Sequence, residues 1–388
     1  MVVASNDSCN TLVSFDEGVK NVGREIRKMC QHTFRRTELL LPEDDFQDYD
    51  NDDYWCMSSS KVEQHVYVPV DNTNAVDMCL RSIPQVMETA NELLANPPRH
   101  FSSESLERVL YVGQGEMAHA VPSQCDVIVS DKATTCHILA LRSKTCTSTP
   151  LVSLTHIDGT CYEDSIREMI AEHKSHHDQL SFDSFEEEKK EEIDQERIEM
   201  DVHIVGGFED AKSTSREISS FLINLLAQVA DEERTTIRMT LKTCAISSMN
   251  DNGYSCPIGR GMGIDLRTGE AFLAKVDDGA AGPATTLRSV RLWGSYNQLS
   301  LIHTARSNKL VIEPFHFQPF PEIDMLLKLP DSVLLQCTST SPDVEEDDFC
   351  YNIRKSLRYM LNHKGHEVFA QPLIFRREDS SSNIWKQC

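Results

Sequence analysis

The sequence has no apolar run approaching the roughly 20 residues that a membrane-spanning helix needs. It has no CxxC pair and no regular cysteine spacing, although it holds 13 cysteines. That pattern argues against a zinc ribbon and against a disulfide framework. Basic residues are scarce: 38 Lys and Arg stand against 61 Asp and Glu, for a net charge of -23. A nucleic-acid binder or an anionic-membrane protein would show the opposite balance. The opening residues MVVASNDSCNTLVSFDEG carry neither a basic start nor a long apolar core, so no secretory signal is expected. A reducing compartment follows, the cytoplasm first and the nucleus second, with cysteines as free thiols. G-x-G-x-x-G and Walker spacings are also missing. Gly206-Gly207 therefore reads as a tight turn, and GRGMG (259–263) as the start of a strand at close backbone approach.

What is present is the composition of a soluble globular protein: 388 residues, 40% hydrophobic and 26% charged. Residues 1–75 read as an acidic, disordered extension, because PEDDFQDYDNDDYW cannot pack against itself. Residues 76–377 read as one domain with an acidic insertion at about 178–199, and 378–388 as a tail. Within the domain, ERVLYVGQGEMAHAV reads as strand, turn, strand. CHILALRS (136–143) and PLVSLTHI (150–157) read as a hairpin. EDSIREMIAEH places Ile166, Met169, Ile170 and His173 at helical spacing. DVHIVGGF is a buried strand ending in the glycine pair. The next helix presents Ile218, Phe221, Leu222, Leu225, Leu226 and Val229 on one face, with Thr214 and Glu217 as a capping box. TIRMTLKTCAI alternates as a half-buried strand. GMGIDLRTGEAFLAKV turns at Thr268-Gly269, and YNIRKSLRYMLNHKG is a helix stopped by Gly365. The fold class is α+β or mixed α/β: a layered sandwich of largely antiparallel sheet with helices packed on it.

The hairpin carries the chemistry. With Leu141 opposite Leu151, Cys136 falls opposite His156 on one face, with Cβ atoms roughly 4.5–5.5 Å apart. An imidazole there can take the thiol proton. Asp158 can orient that imidazole or hold a substrate cation. Thr134 and Thr135 place hydroxyls beside the sulfur, and N–H groups around Thr135–His137 can receive an oxyanion. On residue chemistry alone a small buried cysteine at a strand start remains the commoner reading. His137 points to the other sheet face and ranks below His156 as base.

SDKATTCHI, LTHIDGT and DVHIVGGFED, in that order, resemble the protein N-terminal asparagine amidohydrolase family. VLYVGQGEMA before them, and LVIEPFHFQPFPEIDMLL and STSP after them, extend the resemblance over roughly residues 85–375. It implies Cys136 as nucleophile, with His156 and Thr135 completing the catalytic set. It implies Ser130, Asp131, Thr134 and Asp158 as substrate-binding residues, with Asp131 or Asp158 meeting the free α-amine. It implies hydrolysis of the side-chain amide of N-terminal Asn through a thioester. No metal or other cofactor is called for. The partners implied are proteins or peptides beginning with Asn and, indirectly, the arginyltransferase route to degradation. Lys132 departs from the family-like pattern, where an acid is expected; it could depress the thiol pKa or repel a cationic substrate. Three alternatives stay open: a thiol deamidase acting on other Asn or Gln side chains, a non-catalytic N-terminal-recognition module, and an interaction protein working through its acidic extension.

Other features receive plainer readings. His173, His176 and His177 read as an exposed helix end rather than a metal site. His203 reads as a core histidine. EPFHFQPFPEID (313–324) reads as a proline-punctuated wall that could line the substrate entrance.

Overall fold

A computed structural model describes residues 76, 80–146, 148–183, 197–210, 212–253, 256–294, 297–317, 321–363, 369–378 and 383–388. The expected extension 1–75, most of the acidic insertion and the stop at Gly365 lie outside them. The architecture is α+β, built on two sheets. The smaller has the order β1 (Arg99–Phe101), β10 (Ala271–Val276), β9 (Arg260–Asp265), β4 (Val127–Ala133), β2 (Val109–Tyr111). The larger runs β14 (Trp385–Gln387), β13 (Leu373–Arg377), β12 (Ser307–Ile312), β11 (Ser300–Thr304), β3 (Glu116–Ala120), β6 (Leu151–Ile157), β5 (His137–Lys144), β7 (Ile198–Gly206), β8 (Ile237–Ile246). Most pairings are antiparallel; β11–β3 and β7–β8 are parallel within the larger sheet.

The period-two alternation of strands sorts the side chains into layers. Ile138 and Ala140 of β5, Val152 and Leu154 of β6, and Ile128, Met262 and Ile264 of the smaller sheet fill the gap between the sheets. Leu139, Leu141, Val202 and Ile204 point the other way. They meet Ile166, Met169 and Ile170 of α2 (Glu163–Asp183) and Ile218, Leu222 and Val229 of α3 (Thr214–Glu232). On the outer face of the smaller sheet, Val127, Val129, Phe272 and Phe101 form a third cluster. Further helices, α1 (Pro84–Ala95), α4 (Thr285–Val290), α5 (Ile323–Leu326), α6 (Asp331–Thr338) and α7 (Phe349–Asn362), complete the described elements. Leu287 of α4, Leu334 of α6 and Leu357 of α7 close the inter-sheet core.

Several expectations change. The chain end is not a tail: β14 pairs with β13, and Asn383 accepts from Val109 N and donates to the carbonyls of Ser105 and Glu107. The expected insertion overlaps regular elements at both ends, since α2 runs to Asp183 and β7 begins at Ile198. The capping box does not form. Asp210 upstream instead accepts from Thr214 N and Ser215 N, and Ser213 precedes the helix at φ 60. His173 and His177 are buried and hydrogen-bonded rather than an exposed helix end. Phe315 and Phe317 belong to the core. The turn at Gly269 (φ 79) and the close approach at GRGMG hold: a Cβ on Gly261 would meet the Ala274 carbonyl at 2.2 Å. Among the described residues no helix is long and apolar enough to cross a membrane.

Candidate active site

The hairpin exists, with a register two residues from the expected one. Ile138, not Cys136, pairs with His156. Because side chains repeat every two residues, this slip preserves the face. Cys136, Ile138 and His156 all point into the gap between the sheets, and Cys136 packs against its apolar core at the end of β5. Ser130 of β4 enters the gap from the opposite sheet. Its hydroxyl lies 2.9 Å from His156 Nδ1, and both side chains are buried. His156 Nε2 is buried without a hydrogen-bond partner. When Nδ1 carries the proton and donates it to Ser130, Nε2 is left as a free acceptor.

The glycine pair holds the segment that carries Cys136. Gly207 N donates to the Cys136 carbonyl at 2.9 Å. A Cβ on Gly206 (φ 123) would sit 2.4 Å from that carbonyl, and one on Gly207 (φ 69) would sit 2.5 Å from the His137 ring. The turn is therefore an all-backbone cradle, not a phosphate loop. Asn250 fixes it by donating to the carbonyls of Gly206, Gly207 and Ala245. His137 lies on the far face, as expected, 2.7 Å from Ser219 of α3.

Two carboxylates act on the thiol. Asp158 follows β6; it accepts from Tyr162 at 2.6 Å and from Gln114 at 2.8 Å. Glu345 lies in the segment after α6, partly buried and hydrogen-bonded by Ser339. Burial first, then Asp158 and Glu345, push the Cys136 thiol well above its ordinary range, while the Thr135 hydroxyl opposes them. Burial holds His156 down to about 4, against the pull of Asp158 and Glu116. A protonated thiol and a neutral imidazole thus line the same gap between the sheets, the protonation states that general-base activation starts from.

The segment carrying Glu345 is laced to the loop before Cys136. Thr135 and Thr340 hydroxyls lie 3.1 Å apart, and Ser341 donates to Thr134 at 2.8 Å. Asp131 is not brought to the thiol. Its neighbours in β4 alternate, so it faces the outer side of the smaller sheet. There it accepts from Tyr111 at 3.0 Å and Val276 N at 2.9 Å, and burial raises it to about 6. Lys132 Nζ turns to Glu346 (2.8 Å) and Asp348 (3.6 Å), so neighbouring carboxylates balance its charge.

Among the described residues no group of His, Cys, Asp and Glu is arranged to hold a metal. A groove of about 400 Å³ between α2 and α3 lies on the helical layer, across the larger sheet from the thiol, and is bridged by Arg167–Glu232 and Lys174–Glu233. Its lining holds neither a cysteine nor a histidine. The inter-sheet end therefore remains the candidate site.

The sequence model of the protein N-terminal asparagine amidohydrolase family matches residues 99–387. The chain belongs to this family.

Relatives bearing the family name include the pig protein, Sus scrofa, at 28% identity over 79% of this chain and 92% of its own length. The human protein is 27% identical over the same shares, and that of Arabidopsis thaliana 24% identical over 74% of this chain and 83% of its own. The family match runs through β14, in agreement with the paired C-terminal strand. Sequence reasoning missed Glu345, Gln114 and Tyr162 as parts of the amidohydrolase-like site. The STSP and VGQG blocks were the available signals, but neither shows from spacing alone that it folds against the hairpin end.

Proposed function

We propose that the protein hydrolyses the side-chain amide of N-terminal Asn in proteins and peptides, giving Asp and ammonia. The observation that carries this is the buried, unpartnered Nε2 of His156, oriented by Ser130 in the same gap as the Cys136 thiol. His156 takes the thiol proton as the sulfur attacks the amide carbon. Charge developing on the amide oxygen is received by the Cys136 N–H and the Thr135 hydroxyl. His156 then gives its proton to the departing nitrogen, ammonia leaves, and a thioester remains. Water, deprotonated by His156, attacks the thioester; Asp and the free thiol result.

Asp158 and Glu345 are the carboxylates for the substrate's α-ammonium. Asp131 lies on the outer side of the smaller sheet, bonded to Tyr111 and Val276 there and away from the inter-sheet gap, and drops out of that role. Thr134 acts through its bond to Ser341, holding the Glu345 segment. The N-terminal Asp produced is the form that arginylation and ubiquitin-dependent degradation consume, which fits a cytoplasmic or nuclear setting.

Mass spectrometry of three peptides tests the substrate. A free Asn-Xaa peptide should gain the amide-to-acid mass difference. Its N-acetylated form and a Gln-Xaa peptide should not. Conversion of the acetylated peptide would move the reading to a thiol deamidase of internal side chains; binding without any conversion would leave a recognition module.

A further inference from the structure

Lys132 stands four residues before Cys136, in a left-handed backbone conformation (φ 60) that a non-glycine residue adopts only under local constraint. Around it the pairing of β4 with β9 shifts between Ser130 and Ala133. This bulge re-aims the chain. Ser130 faces His156, Asp131 faces Tyr111, and Lys132 reaches the segment after α6. There it pairs with Glu346 at 2.8 Å and Asp348 at 3.6 Å. Glu345, the adjacent residue, accepts from Ser339 of the same segment, and its charge acts on the thiol while Lys132 acts on it. The same segment is tied to Thr134 through Ser341 and to Thr135 through Thr340. Residues 132, 134 and 135 thus each bind it, and only the Lys132 attachment is ionic.

We infer that Lys132 is a positioning residue: its ion pairs clasp the 339–348 segment and so set the placement of Glu345 against the substrate's α-ammonium. This rests on the deamidase reading above and goes beyond it, assigning Lys132 to amine affinity rather than to sulfur activation. Its own charge is balanced by Glu346 and Asp348, so it neither repels the substrate amine nor acts on the thiol. The pairs are about half exposed, so salt should weaken the clasp.

The test is steady-state kinetics on a free Asn peptide with full-length wild type, Lys132→Arg, Lys132→Ala, Lys132→Glu, Glu346→Lys and the Lys132→Glu/Glu346→Lys exchange. An exposed pair of this kind is expected to change KM by about two- to fivefold on loss of Lys132, with kcat held within about twofold. Lys132→Arg should keep the wild-type KM, and the exchange should recover part of the loss caused by either reversal alone. Raising ionic strength should bring wild type toward Lys132→Ala. In a Glu345→Gln background, Lys132→Glu should add no further rise in KM. An unchanged KM in both Lys132→Ala and Lys132→Glu overturns the inference, as does a fall confined to kcat or a full Lys132→Glu effect without Glu345. If wild type fails to convert the peptide, the deamidase reading falls and the amine-positioning role falls with it. That outcome is distinct from an active wild type whose Lys132 variants behave normally.

Discussion

At His156 two effects oppose each other and burial wins. Asp158 and Glu116 favour the imidazolium, yet desolvation holds the group at about 4, below the ordinary 6.5. The imidazole is therefore neutral across the physiological range. In the proposed role as base it fails only as pH falls through that lowered value. At the other end, the substrate α-amine loses its proton near roughly 8, and with it the attraction of Asp158 and Glu345. The predicted kcat/KM profile is a plateau with an acid limb well below 6.5 and an alkaline limb near the amine pKa, read by initial rates on an Asn peptide. His156→Gln should lower kcat by about 10²–10⁴-fold, the usual share of a general base. A profile whose acid limb sits at 6.5 would contradict the buried, neutral imidazole.

Among the elements, the hairpin shows what a sequence can and cannot specify. The apolar runs 136–143 and 150–157 marked both strands, and strand parity put Cys136 and His156 on one face. The register itself was two residues off, because nothing in KTCTST states how many residues the turn consumes. Parity survived the error; a slip of one would have separated the pair. The helix after Gly206-Gly207 was legible from its apolar face, but not its cap, since Asp210 reaches from a loop whose path depends on the glycines. Those glycines carry a prediction at this scale. Gly206→Ala sets a Cβ against the Cys136 carbonyl at 2.4 Å and cannot move without shifting the nucleophile. Misplacement of this kind is expected to lower kcat about 10²-fold. Circular dichroism should still report a folded protein at 25 °C. Unchanged turnover in a folded Gly206→Ala variant would refute the cradle.

For the whole molecule, the layers were foreseeable from alternation, but the polar seam beneath the helical layer was not. His119 Nδ1 meets Ser153 at 2.6 Å, and Ser153 meets His173 Nε2 at 2.8 Å. His173 Nδ1 meets Ser143 at 2.5 Å, and Ser143 meets His177 Nε2 at 2.7 Å. These residues come from β3, β6, β5 and α2, so only the assembled fold joins them. Burial lowers His119 to about 4 and pushes His173 well below its usual value. The unfolded chain binds protons at 6.5 and the folded one does not, so stability is full above 6.5 and declines as pH falls toward 4. For His119 alone the decline is on the order of 3 kcal/mol by pH 4. Thermal melts from pH 7.5 to 4.5 should show a falling Tm; a flat Tm would mean the seam tolerates protonation. The central claim, that Cys136 forms a thioester with the Asn side chain, is tested most directly by converting a free Asn peptide in the presence of hydroxylamine. The account predicts a peptide hydroxamate beside the Asp product with wild type, and neither product with Cys136→Ala. Asp alone from wild type at high hydroxylamine, with Asp still formed by Cys136→Ala, would contradict it.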